Sequence, residues 1–194
     1  PLMGTRPLGW HLLMLAGRWL VSVLFWLLVK EIWPQRKKMA LLAALAFAVY
    51  PGFDQHAVAV IYSVFMLVLA FFLLSLYLNV LAFRVQRKWF YPLMAGSFVL
   101  SILNISLLEY FYTLEAVRPV LVFFLLQQKE RDWKLNLKKT VYNTAPFILA
   151  LIGITVYRTF FFDGQTESYD LTLIDSLRSD FFPTIGNLLL SMLR

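Results

Sequence analysis

Seven residues of this sequence are of a type and in a place to do chemistry: His11, Arg18, Asp54, His56, Glu115, Arg118 and Arg158. Each lies in or beside a long apolar run. An ionisable group at membrane depth is costly, so it is a functional suspect by default. Arg18 stands in the middle of the first run, where it can pair across helices or hold a substrate phosphate. His11 comes seven residues earlier and so lies on the same helical face. Asp54 and His56 share the turn Tyr50-Pro-Gly-Phe-Asp-Gln-His56. Asp with His is a reasonable acid–base pair, and equally an ordinary polar turn. Glu115-Ala-Val-Arg118-Pro119 is the most suggestive patch. Glu115 and Arg118 are three apart and share a helix face. Pro119 disfavours helix at Arg118 and suits the first position of a new helix. A helix starting there aims its positive end outward, which with Arg118 makes an anion site. The rival reading is a kinked span with a local Glu–Arg pair. Arg158 ends an upward-running span at the same face.

Other chemistries find no residues to carry them. There is no Gly-rich phosphate loop, no HExxH, no GxSxG and no CxxC. The absence of cysteine removes disulfides, thiolate metal sites and a cysteine nucleophile, and two histidines are too few for a multi-histidine metal site. No metal and no cofactor is expected, and no catalytic residue can be singled out.

The elements that must position these residues are membrane spans. The chain of 194 residues is 60% apolar and 15% charged, against roughly 45–50% and about 25% in soluble domains. A crossing helix needs about 20 residues. The runs Leu8–Val29, Ala57–Phe83, Trp89–Leu108 and Thr140–Phe162 meet that length. Met39–Tyr50 is shorter, Tyr110–Leu126 contains Glu115, Arg118 and Pro119, and Phe181–Leu193 reads as the start of a further span.

Basic residues set the orientation. Twelve of the 18 Lys and Arg residues fall between Lys30 and Lys38, between Arg84 and Lys88, and between Lys129 and Lys139. The alternate loops hold Arg6, Arg118, Arg158 and Arg178 with eight acidic residues. The alternation predicts an all-α polytopic bundle of six spans plus the start of a seventh, with the N-terminus outside and the basic loops cytoplasmic. The net charge of +7 is thereby explained as membrane anchoring, so nucleic acid is not an expected partner. Trp33, Trp89 and Trp133 sit beside the basic loops as interface anchors. Gln127–Lys139 mixes base with Trp133, Leu135 and Leu137 and reads as a surface helix on anionic headgroups. Residues 1–194 read as a single membrane-embedded domain, part of a longer chain.

The string Trp10-His-Leu-Leu-Met-Leu-Ala-Gly-Arg18, the turn Ile32-Trp-Pro, then Leu45-Ala-Phe-Ala-Val-Tyr-Pro51 resembles GT-C superfamily membrane glycosyltransferases, most of all their protein-mannosyltransferase-like members. Glu115…Pro119 and Pro146-Phe147…Tyr157-Arg158 fit the order of that family's later segments. The turn Tyr-Pro-Gly-Phe also resembles membrane proteins of filamentous phototrophic bacteria. The resemblance implies an integral protein of a bacterial plasma membrane that takes a polyprenyl-phosphate sugar donor on the outer face. The substrate-binding candidates are then the residues singled out above by type and placement: Arg118, Arg158, Glu115, Arg18, His11, Asp54 and His56. There are departures. Met14 and Arg18 stand where the family has Asn and His, and the family's catalytic acidic loop would precede Leu8. A non-catalytic subunit of a larger membrane complex, or a transporter with broken helices, are the competing expectations.

Overall fold

The computed structural model describes residues 7–50, 59–129 and 132–161. Six α-helices account for most of them: α1 Pro7–Ile32, α2 Lys37–Ala48, α3 Ala59–Arg84, α4 Arg87–Leu107, α5 Val117–Gln127 and α6 Trp133–Phe161. Two 3-10 segments intervene, Pro34–Arg36 between α1 and α2 and Glu109–Ala116 ahead of α5. No strand occurs among the described residues. By compactness the chain forms two units, Pro1–Val156 and Tyr157–Arg194. The second is described over residues 157–161 alone, the last turn of α6.

Local chemistry sets the helix boundaries. α1 stops at Ile32 because Pro34 pushes Trp33 out of helical backbone, to φ −124°, ψ 73°. α4 is bounded by Gln86 and Leu108, both extended. α6 starts on a side-chain cap: an Asp132 carboxylate oxygen accepts the N–H groups of Lys134 (3.0 Å) and Leu135 (3.3 Å).

Four helices are long and apolar enough to cross a membrane: α1, α3, α4 and α6. Among the described residues, four of the six expected spans are thus matched by a helix long and apolar enough to cross by itself. α2 has 12 residues and α5 has 11, about 18 and 16 Å on an α-helical rise, too short for a hydrocarbon core of roughly 30 Å. α5 is lengthened by the 8-residue 3-10 segment that runs straight into it. At roughly 2.0 Å per residue that segment brings the pair to about 32 Å. α2 has no such extension in the described residues. The expected seventh span at Phe181–Leu193, the acidic stretch from Asp163 to Asp180, and Asp54 with His56 all lie outside the described residues.

α1 packs on α3, α3 on α4, and α1 on α2. α1 and α3 run parallel. Gly17 lies against Met66, and the Arg84 guanidinium at the end of α3 donates to the Ile32 carbonyl at the end of α1 (3.3 Å). α4 runs back along α3. α5 descends with α1 and α3, since Gln128 just beyond it donates to Ile32 O and accepts from Arg84, and Lys129 donates to Phe83 O. The three basic turns thus come together at one end of the bundle.

The shared apolar core is built by Val21, Leu24 and Leu28 of α1, Phe72, Leu76 and Val80 of α3, and Leu125 of α5. Outward faces stay apolar too, as at Leu8, Trp19, Tyr142 and Leu149. α6 meets the others through side chains: the Phe147 ring lies edge-on to Phe98 and covers Arg118.

Candidate functional site

The largest fully buried side chain among the described residues is Arg118. Its surroundings explain how a cation can stand there. The 3-10 segment carries Glu115 and α5 carries Arg118, and the backbone stays helical across Ala116 and Val117. The spacing of three therefore brings the carboxylate alongside the guanidinium. Nε donates to Glu115 Oε2 at 2.7 Å and Nη2 to Oε1 at 3.1 Å. Nη1 reaches Ser97 Oγ (3.0 Å) on α4 and Nη2 also reaches Ser75 Oγ (2.9 Å) on α3. Four of the five guanidinium N–H donors are engaged. The Phe147 ring of α6 covers the remaining face, 4.0 Å from ring centre to Cζ, a cation–π contact that is strongest where water is excluded.

Serines close the network. Ser75 Oγ donates to Ser97 O (2.6 Å) and Ser97 Oγ donates to Ser75 O (2.8 Å), a reciprocal clasp between α3 and α4. With their protons used there, both hydroxyl oxygens are free to accept from Arg118. Ser101, one turn along α4, donates to Glu115 Oε1 (2.8 Å). Five residues from three helices and the 3-10 segment form one buried polar centre. A buried ion pair tolerates desolvation only when further hydrogen bonds satisfy its remaining donors and lone pairs, and that condition is met.

The helix boundaries correct the expectation for this patch. Ser75 is nine residues before the end of α3, and Arg118 is nine before the end of α5. On an α-helical rise both lie about 14 Å from the basic end, part-way along α3 and along the joined 3-10 segment and α5. The free helix start expected at Pro119 is absent. α5 begins at Val117, whose N–H donates to Leu114 O in the preceding 3-10 segment. Pro119 falls in the first turn of α5, which tolerates its missing N–H.

Above the ion pair lies a cavity of about 260 Å³, lined by Tyr112, Glu115, Arg118, Thr144 and Phe147 among others. It adjoins a second space of about 550 Å³ between α5 and α6. Pro119, Thr144 and Ile148 line both. The polar stripe of α4 continues past Ser101 to Asn104, fully buried, whose side-chain amide finds no partner among the described residues.

The other candidates do not join this centre. Arg18 is half-buried on α1 and its Nη2 donates to Tyr50 O (3.3 Å), just past the end of α2. That is a cation at a helix C-terminus, a favourable electrostatic position. His11 is exposed, seven residues nearer the start of α1. Arg158 is half-buried in the last turn of α6 and belongs to the second unit. No group of three or more His, Cys, Asp or Glu residues suited to a metal occurs among the described residues.

Sequence reasoning found Glu115 and Arg118 but passed over Ser75, Ser97 and Ser101, which read as isolated polar breaks in apolar runs. The signal was present: Ser97, Ser101 and Asn104 recur at four and three residues, one helical face.

No family model matches the chain, and neither a curated protein nor a solved structure matches it.

Proposed function

We propose that this chain is the helical body of an integral plasma-membrane protein of the GT-C glycosyltransferase type, with the basic turns cytoplasmic and the start of α1 outside. The observation that carries the orientation is the hydrogen bonding of the three basic turns to one another at one end. The positive-inside rule gives that end to the cytoplasm. The substrate class, a polyprenyl-phosphate sugar donor arriving from the outer side, rests on the resemblance of Trp10–Arg18, Leu45–Pro51 and Glu115…Pro119 to that family.

Within this reading Arg18 is the favoured ligand for the donor phosphate. It lies nearer the outer end than Arg118 does, at the break after α2, and its planar fork suits phosphate. Arg158 is a second candidate from its own unit. Glu115 and Arg118 hold the bundle together rather than bind donor, because the guanidinium is already engaged. His11, Asp54 and His56 are secondary candidates on the outer side.

A second reading, a non-catalytic membrane subunit, is favoured by one observation: the most deeply buried ion pair is closed upon itself by three serines. The test is donor binding by the full chain in nanodiscs, comparing a polyprenyl phosphate with the same polyprenol lacking phosphate. The glycosyltransferase reading expects binding that needs the phosphate and weakens at least about tenfold in Arg18→Ala, the worth of one charge-assisted contact of about 1.5–3 kcal/mol. Equal binding of both lipids, or none, gives the case to the subunit reading.

A further inference from the structure

The space between α5 and α6 is apolar over most of its length, with Val120 and Phe123 on one side and Val141, Ala145 and Leu149 on the other. At its inner end it meets the cavity over Arg118 and Phe147. Its opposite end reaches Leu137, within the first turns of α6. Lys134 and Lys138 stand at that end, both exposed. They are three before and one after Leu137, and Lys138 is three before Val141. The helical repeat therefore puts both lysines on the face that lines the cleft. Lys134 Nζ lies 5.9 Å from the Trp133 ring centre, and Trp is the side chain that marks the headgroup level. At the same turn one Asp132 carboxylate oxygen accepts two backbone N–H groups.

We propose that this cleft is a binding site for one anionic phospholipid, with an acyl chain between α5 and α6 and its phosphate on Lys134 and Lys138. The occupant follows from charge and depth. An apolar cleft open to the bilayer takes up hydrocarbon, and a pair of lysines at its mouth selects a chain that carries negative charge. The lysines sit at the end where the other basic turns gather, so the lipid comes from the leaflet on that side. Basic sites between helices on that side are a known mode of anionic headgroup binding. The bound chain also supplies packing to α6. The proposal requires only that the chain is membrane-embedded, and it holds whether or not the protein transfers sugar.

Native mass spectrometry of the full chain, released from micelles doped equally with phosphatidylglycerol and phosphatidylcholine of matched chains, reads retention directly. The expected result is one retained phosphatidylglycerol, favoured over phosphatidylcholine. Lys134→Gln with Lys138→Gln removes about tenfold or more of that preference, at the usual worth of a basic residue near an anionic surface. Val141→Trp, at an exposed position on the edge of the cleft, displaces the lipid with both lysines intact. Equal retention of the two lipids overturns the proposal. So does a loss on lysine neutralisation that Val141→Trp does not reproduce, because the headgroup would then bind on the surface with no chain in the cleft.

Discussion

Arg118 meets Glu115 side-on, through Nε and Nη2, across the junction where a 3-10 segment becomes α5. Both residues are buried. The pair holds a change of helix type inside the bundle and ties it to α3 and α4 through serines.

Removing one partner should be far worse than removing both. Arg118→Leu strands a buried carboxylate and should cost about 3–5 kcal/mol. Glu115→Leu with Arg118→Leu should recover most of that loss, because the Ser75–Ser97 clasp satisfies itself. Unfolding in bicelles by steric trapping measures each variant. A single substitution no worse than the double would show that the pair is not desolvated as described.

The serine clasp should be weak residue by residue and coupled. Ser75→Ala and Ser97→Ala each should cost about 0.6 kcal/mol and no more than about 1.7, the range for hydrogen bonds between membrane helices. The double mutant should cost less than their sum, because each serine serves the other and both serve Arg118. A double-mutant cycle giving strict additivity would dissolve the network into independent contacts.

Two glycines should respond differently to alanine. A Cβ at Gly17 would stand 3.1 Å from Met66 Cβ, an atom fixed to the backbone of α3, whereas one at Gly96 would stand 3.3 Å from the mobile tip of Leu78. Gly96→Ala should be neutral or stabilising, up to the roughly 1 kcal/mol by which Ala exceeds Gly in a helix. Gly17→Ala should gain less or lose stability, because α1 and α3 must part. Melting temperatures in one detergent order the two, and a stabilised Gly17→Ala beside a destabilised Gly96→Ala would contradict the packing.

Sidedness is open to a clean test because the chain has no cysteine. Gln35→Cys and Gln86→Cys lie in basic turns gathered at one end, while exposed Tyr110→Cys follows α4 at the other. An impermeant maleimide on intact cells should label Tyr110→Cys and spare the other two until the membrane is opened. Labelling of Gln35→Cys but not Gln86→Cys would break the shared end itself.

The four long helices were legible as long apolar runs, three of them interrupted by a charge or a proline, and the grouping of basic turns was legible because like charges recur in alternate loops. The Glu115–Arg118 pair was legible from a spacing of three. Its depth was not. Loop-charge alternation orders the crossings but carries no measure of where along a helix a residue falls, so it leaves the position of Arg118 along its helix open. The 3-10 segment was missed for a related reason: Glu109–Ala116 has no Pro or Gly to mark a change of winding, and the eight residues read equally well as the start of an α-helical span. The short length of α2 was visible in the 12 residues before Pro51, and alternation of charge outweighed it.

The half-length of α2 bears on how the protein is made. A 12-residue helix is too short to span a hydrocarbon core by itself, and any of its last carbonyls that enter lipid need a partner. Val49 N–H takes the Leu45 carbonyl, and Tyr50's own carbonyl is met by Arg18 from α1. That cation is already in place when α2 emerges from the ribosome, because α1 is synthesised first. Exchanging α1 and α2 in sequence would present the short helix for insertion before the side chain that meets its end.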